Sequence, residues 1–443
     1  MQTRENFGGR LAVILAMAGS AIGLGNIWRF PYLVGQNGGA AFILVYIAAC
    51  ALLAMPIFMA EAVIGRRSGS NTFGAMKKLA PGTRWKWLGL VTVVAPLLLL
   101  SYYSVVGGWA VDYFMKACSF RFMGDTSGLF GGFISSTWEP LVTHTVFMAL
   151  TAGIILLGVT KGIEKFTKIT MPMLFILIVG IVIYGLTLPG SWKGVEYMVK
   201  PDFSKINAQV VATAMGQAFF SLSLGVGTIL TYASYMRKEE NIVSAGNCTA
   251  AFDLLFALLA GFAVMPAVFA AGIQPEEGPG LVFDTLPYIF SQMGWAGTVV
   301  SVLFFFSILI AALTSSISLL EVGVAYLVEE KGWSRRRSTL VLAFGTWALG
   351  VLCSLSFGPL SGVKLLGVGI FDFLDKLCTN WLMPFGGLLF TLFVGWKMSK
   401  ADVRDELTGG GTCNRRLFPL LYFLMRYLAP VGIVVVFLTN LFL

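Results

Sequence analysis

Eleven times along the chain an apolar run approaches or passes the roughly 20 residues that an α-helix needs to cross a bilayer. The runs cover 10–37, 39–65, 87–117, 140–159, 165–187, 207–237, 241–272, 296–330, 338–357, 363–396 and 417–441. Inside hydrocarbon every backbone N–H and C=O needs a partner within the protein, which leaves helices and closed β-barrels as spanning structures. Barrel strands alternate apolar and polar residues over about ten positions, whereas Ala41–Pro56 is apolar almost throughout. The pattern predicts an all-α membrane protein with eleven transmembrane helices and connections too short for a separate soluble domain. Composition agrees: 57% of residues are hydrophobic and 12% charged, with a mean hydropathy of +0.82. That charged share is about half the roughly 25% of a soluble domain, and no soluble fold hides so much apolar surface.

A net charge of +9 raises the question of a nucleic-acid partner. Sorting the 31 basic residues by alternate loops answers it. Twenty-two fall on one side, six (Lys116, Arg121, Lys193, Lys200, Lys205 and Lys364) on the other, and Arg29, Lys376 and Arg426 within or at the ends of runs. The positive-inside rule then places the N-terminus in the cytoplasm and the C-terminus outside, across the cell inner membrane. The charge is a topology signal, and no nucleic-acid patch is expected. Ala16-Met17-Ala18 resembles a signal-cleavage site, but the apolar stretch runs on to Val34 and Arg29 interrupts it, so an uncleaved first helix is expected. The six cysteines show no C-x-x-C spacing and read as buried apolar residues. His144 stands alone, which rules out a histidine-based metal site. No phosphate-cradling Gly-x-Gly-x-x-Gly or Gly-Lys-Ser/Thr occurs, and no organic cofactor is expected.

Two runs differ from the rest. The first contains Gly19-Ser20-Ala21-Ile22-Gly23-Leu24-Gly25-Asn26, and the sixth contains Ser221-Leu222-Ser223-Leu224-Gly225-Val226-Gly227. Aligned, Gly23 meets Gly225 and Gly25 meets Gly227. Each mid-helix Gly weakens a helix by about 1 kcal/mol relative to Ala, and unwound backbone survives at membrane depth only where it is buried in protein or lines a cavity. Close helix packing through small residues explains either segment alone, but it explains less well why both fall at matching places. Five spans separate them, so the second copy enters from the opposite side. This predicts an inverted repeat: 10–187 as helices 1–5 against 207–396 as helices 6–10, with 417–441 as an accessory helix 11. Helices 1 and 6 are then unwound at mid-membrane, where such folds bind substrate and ions.

These strings resemble the neurotransmitter:sodium symporter family. Ala16 to Gly19, Gly25-Asn26-Ile27-Trp28-Arg29-Phe30-Pro31 and Asn37-Gly38-Gly39 carry the match in the first helix. Further matches are Gly162-Ile163-Glu164-Lys165-Phe166, Gly216-Gln217, Tyr232-Ala233-Ser234-Tyr235, Thr285-Leu286-Pro287 and Leu313-Thr314-Ser315-Ser316. The resemblance implies a sodium-coupled importer of an amino acid that works by alternating access. A first sodium site would take the Ala21 carbonyl, Asn26, Ser221 and Asp253. A second would take carbonyls of Gly19, Ile22 and Ala311 with hydroxyls of Thr314 and Ser315. All are oxygen donors, which suit a hard cation.

The substrate carboxylate would meet the N–H groups of Leu24 and Gly25 and the Tyr103 hydroxyl, since helix N-termini favour anions. The amine would meet carbonyls of Ala21, Phe220 and Ser223 and the oxygens of Ser221. The side-chain wall would be Leu99, Phe220, Ser223, Val226, Ser318 and Leu319, with Ser315 counted among the substrate residues as well. It holds no charge, so a neutral, hydrophobic or aromatic L-amino acid is expected. Val226 replaces a Phe of the family's bacterial prototype and leaves more room.

Arg29 and Asp375, ionisable groups inside spans, would form the extracellular gate above Phe220. Arg4 would pair with Glu329 at the cytoplasmic mouth, near Ser234 and Tyr235; the family usually has Asp at position 329. Glu61 would bond the unwound part of helix 6. At 253 the family has Asn, and here Asp253 is followed one turn later by Ala257. An ionised Asp253 would replace the chloride that other members need, so transport is expected to be chloride-independent. The expected partners are a small neutral amino acid and the lipid bilayer, and a homodimer is one assembly the resemblance allows. A sensor of the same fold that binds without transporting remains an alternative. An enzyme is not expected, because Ser315-Ser316 lacks a histidine base.

Overall fold

The structure, a computed structural model, describes residues 6–273 and 280–442, with side chains up to 439. Among the described residues nine helices are long and apolar enough to cross a membrane, or ten when the bent pair α1 (Arg10–Ala21) and α2 (Gly25–Gln36), which meet at 50°, counts as one. The others are α3 (Ala40–Ser68), α4 (Lys86–Cys118), α5 (Trp138–Leu156), α6 (Val159–Leu186), α9 (Ile242–Ala270), α10 (Gly294–Lys331), α11 (Arg335–Leu355), α12 (Ile370–Lys397) and α13 (Phe418–Thr439). Between α6 and α9 lie two pieces, α7 (Ala208–Ser221) and α8 (Thr228–Ala233). Among the described residues there is no β-strand, only an isolated Leu365–Val368 bridge.

The boundaries follow sequence chemistry. Ser334 caps α11 by accepting from the Arg337 N–H, and Asn241 caps α9 by accepting from Ser244. The run read as 207–237 is divided because Ser223, Gly225 and Gly227 all have positive φ (51°, 80° and 74°), which no helix accommodates. The run read as 363–396 begins at Ile370 instead, since Leu366 (φ 49°) and Gly367 (φ 86°) turn the chain first. Some connections are less plain than expected. They carry short helices, among them Thr72–Leu79, Leu129–Ser135, Trp192–Val199, Leu286–Gln292 and Lys400–Thr408.

Burial separates two kinds of helix. α4 and α10 are each 72% buried over their most apolar stretch, against 33% for α6, α11 and α13. α1, α4, α8 and α10 pack around the broken segments at 22–24 and 222–227, while α6, α11 and α13 turn apolar side chains such as Ile176, Phe344 and Val431 outward. A soluble protein would not expose these; facing lipid, they are solvated by like material.

Candidate functional site

Helix α1 ends at Ala21 because Ile22 turns extended (ψ 104°). The residues that follow look elsewhere for partners. The Gly23 N–H goes to Asn26 Oδ1 at 3.1 Å, and the Leu24 N–H goes to the Tyr103 hydroxyl at 3.2 Å. Carbonyls that a continuous helix would have used internally are then free to accept from side chains. The Ser20 carbonyl accepts from Ser223 Oγ (2.9 Å) and Ser315 Oγ (3.2 Å), and the Ile22 carbonyl accepts from Thr314 Oγ1 (3.3 Å) and Ser315 Oγ (3.4 Å). Side chains cannot be added here: a Cβ on Gly23 would lie 2.3 Å from Ser315 Oγ and 2.8 Å from the Tyr103 hydroxyl. On the other broken segment, a Cβ on Gly225 would lie 1.8 Å from the Met383 carbonyl oxygen. Its N–H donates to Glu61 Oε1 at 2.7 Å, which ties the break to α3.

Two oxygen clusters result. In one, Asn26 Nδ2 reaches Ser221 Oγ (3.0 Å), Asp253 Oδ1 (2.7 Å) and the Asp253 carbonyl (3.1 Å). Ser221 Oγ also donates to Asp253 Oδ2 at 2.8 Å, and the Tyr46 hydroxyl approaches the same oxygen at 3.4 Å. Asp253 is 1% exposed and Asn26 fully buried. In the other cluster, Thr314 Oγ1 donates to the Ala311 carbonyl (2.9 Å) as well as approaching Ile22. Gly19 borders this second group, since a Cβ placed on it would lie 3.5 Å from the Thr314 Cβ. Apart from the Asn26 amide nitrogen (the amide oxygen accepts from the Gly23 N–H instead), both clusters consist of oxygen atoms. Among the described residues there is no group of three or more His, Cys, Asp or Glu that could hold a metal ion.

At the breaks lies a narrow cavity of about 20 Å³, lined by Ala21, Gly23, Gly25, Leu99, Tyr103, Phe220, Ser223, Val226, Ser315, Leu319 and Met383. Nine of these are among the substrate residues expected from the sequence; the other two are Gly23, the backbone hinge, and Met383 on α12. Ser318 departs from expectation. It is fully buried off the cavity, where Ser20 Oγ donates to it at 2.8 Å and it donates to the Ser315 carbonyl at 2.8 Å. One helical turn separates Ser315 from Leu319, so those two share a face while Ser318 turns toward α1. Ser221 likewise faces Asp253 rather than the cavity, and Leu24 offers only its backbone.

The residues expected at the gates have partners of their own. The Arg29 guanidinium lies 4.7 Å above the Phe220 ring, a cation–π distance. Asp375 is near enough to act on Arg29 electrostatically, with Tyr32 and Tyr102 alongside. No Arg29–Asp375 ion pair closes within 4.0 Å among the described residues, so the implied contact is an approach rather than a bond. At the other end, Arg4 lies outside the described residues. Glu329 accepts from the Asn71 N–H (2.8 Å), Asn71 Nδ2 (2.9 Å) and Ser70 Oγ (3.2 Å). The Tyr235 hydroxyl donates to Glu321 Oε1 at 2.9 Å, and Arg335 grips the same carboxylate through Nη2 (2.6 Å) and Nη1 (3.1 Å). Sequence reasoning passed over Glu321 and Arg335. The available signal was a carboxylate inside an apolar run, the same one that drew attention to Asp375.

A bundle with interrupted helices, oxygen clusters and a cavity at the breaks defines a multi-pass membrane transporter. The chain belongs to the sodium:neurotransmitter symporter family, whose model matches residues 4–125 and 134–443; the family is one of transporters, not enzymes. Among its relatives is the uncharacterized sodium-dependent transporter YhdH of Bacillus subtilis (strain 168). It is 40% identical over 435 residues, covering 97% of this chain and 96% of that protein. The sodium-dependent serotonin transporter of Drosophila melanogaster is 27% identical over 443 residues, covering 89% and 68%. The crystal structure of MhsT in complex with L-phenylalanine is similar at a TM-score of 0.92 and 41% identity, over 99% of this chain and 100% of that one.

Proposed function

We propose that this chain imports a neutral, hydrophobic amino acid by sodium-coupled symport with alternating access, and that it does so without chloride. The observation that carries the reading is the adjacency of two oxygen clusters and an uncharged cavity, all built on the same broken backbone. Sodium held by Ala21, Asn26, Ser221 and Asp253 is the cargo that neutralises the substrate carboxylate's surroundings. A second sodium, held by Gly19, Ile22, Ala311, Thr314 and Ser315, ties α1 to α10. The sodium-dependent names of its relatives and the L-phenylalanine of MhsT support both halves of the reading.

The cavity wall is Leu99, Phe220, Val226, Leu319 and Met383, so a charged substrate side chain would lose its hydration there without a partner. The substrate carboxylate takes the Leu24 and Gly25 N–H groups and Tyr103. Arg29 and Asp375 close over it from outside, and Tyr235, Glu321 and Arg335, with Glu329, seal the cytoplasmic side. In this reading the two pieces α7 and α8 form one span, giving eleven, and 10–187 and 207–396 are inverted repeats. The N-terminus is cytoplasmic, and the membrane is the cell inner membrane. Uptake of labelled phenylalanine or leucine into vesicles, with and without an inward sodium gradient, tests the proposal. Accumulation should require sodium, and unlabelled Leu, Met, Phe, Tyr or Trp should compete far better than Lys or Glu. Binding without sodium-driven accumulation would refute it.

A further inference from the structure

Away from the breaks, an open groove lies where the helix Lys400–Thr408 meets the start of α13. It measures about 990 Å³ and is lined by Lys400, Arg404, Arg415, Phe418 and Tyr422, among others. We propose that it binds the phosphate of an anionic phospholipid headgroup.

Lys400 and Arg404 are four residues apart and so share a helix face, and Arg415 approaches from the loop opposite. Among the described residues none of the three has an ion pair within 4.0 Å; Arg415 donates through Nε to the Gly411 carbonyl. The one acid in the lining, Asp405, is engaged by Arg67 Nη1 at 2.7 Å and does not neutralise them. The Lys400 ammonium lies 5.5 Å over the Tyr422 ring. Arginine forks match phosphate oxygens in pairs, and lysine adds a point charge.

The adjoining run Gly409–Gly411 does not serve as an amide cradle. The Gly410 N–H is spent on the Asp405 carbonyl (3.0 Å), and the Gly411 N–H is spent on Thr408 Oγ1 (3.0 Å). Binding therefore rests on the three cations.

What favours a lipid over a free phosphate is the surface beside the groove. Leu417, Leu420, Phe423 and Tyr427 are 47%, 55%, 55% and 45% exposed along α13 and the residue before it. They offer an apolar track for acyl chains next to the headgroup. Basic pockets at the cytoplasmic ends of transmembrane helices suit anionic lipids, which are concentrated in that leaflet. The side assigned to this loop rests on the cytoplasmic reading of the basic loops.

The test titrates the purified full chain in detergent with phosphatidylglycerol and counts retained lipid by intact-protein mass spectrometry. Each cation removed should weaken binding roughly fivefold, and Lys400→Ala/Arg404→Ala/Arg415→Ala together roughly a hundredfold. A control that removes as many cytoplasmic charges elsewhere, Lys161→Ala/Arg237→Ala/Lys238→Ala, should bind as the parent does; an equal loss would mean diffuse surface attraction and overturn the site. Phosphatidylcholine should be retained far less than phosphatidylglycerol, and equal retention would overturn the headgroup assignment. Inorganic phosphate at 10 mM or so should displace no more lipid than chloride of matched ionic strength, given that screening alone weakens such contacts. Full displacement would make this a free-anion site and refute the lipid reading. Should the triple variant fail to fold, the singles Lys400→Ala and Arg415→Ala carry the same fivefold expectation, and Arg404→Lys should retain most binding.

Discussion

Replacing Asp253 with Asn removes one buried negative charge while keeping the side chain's shape. The carboxylate is 1% exposed and accepts from Asn26 Nδ2 at 2.7 Å and Ser221 Oγ at 2.8 Å. Among the described residues it is the one formal charge in that cluster, and Ala257, one turn on, cannot substitute for it. Two unit charges about 4 Å apart attract by about 4 kcal/mol at an effective dielectric constant of about 20. At about 1.4 kcal/mol per decade that caps the loss of sodium affinity near a thousandfold. Desolvation offsets part of the attraction, so a rise of about tenfold to a hundredfold in half-saturating sodium is expected. Equilibrium binding of labelled substrate, titrated with sodium at constant ionic strength, measures it. The same variant should keep its substrate selectivity, since Asp253 does not line the cavity. The parent should transport equally in sodium gluconate and sodium chloride. A half-saturating sodium concentration within about twofold of the parent's, which is under about 0.5 kcal/mol, would refute the reasoning. So would a parent that stalls without chloride.

Three further outcomes follow from the same geometry. Thr314→Ala/Ser315→Ala strips two hydroxyls that reach the Ile22 carbonyl and should abolish sodium-driven accumulation, by a few kcal/mol per lost ligand; normal uptake by the double variant would show that the second cluster holds no sodium. Val226→Phe fills space in the cavity wall and should weaken Phe and Trp in competition assays by about tenfold or more while sparing smaller side chains. Glu321→Gln breaks a fully buried carboxylate from Arg335 and Tyr235. Removing one partner of a buried pair costs about 3–5 kcal/mol, so the variant should open toward the cytoplasm, read as faster labelling of an introduced cysteine near Tyr235; unchanged labelling would count against the latch.

Length and periodicity of apolar runs were enough to reveal the membrane bundle, because every spanning segment must satisfy its own backbone in lipid. The run 39–65 became α3 and 296–330 became α10 within a few residues, as that constraint requires. Local chemistry also revealed where helices could not continue, at Gly23–Gly25 and Ser223–Gly227. It could not say where the unwound groups would find partners. That the Gly225 N–H meets Glu61, that the Ser20 carbonyl collects Ser223 and Ser315, and that Ser318 turns away from the cavity are decided by how α1, α3, α7 and α10 cross. Glu321 and Arg335 lie fourteen residues apart across a helix turn-back, and nothing in their spacing announces a shared carboxylate with Tyr235. Apolar periodicity is a property of each segment against one uniform solvent, so it can be read one run at a time. Hydrogen-bond partnership is a property of pairs distant in the chain, and only the packed bundle brings those pairs within 3 Å or so of each other.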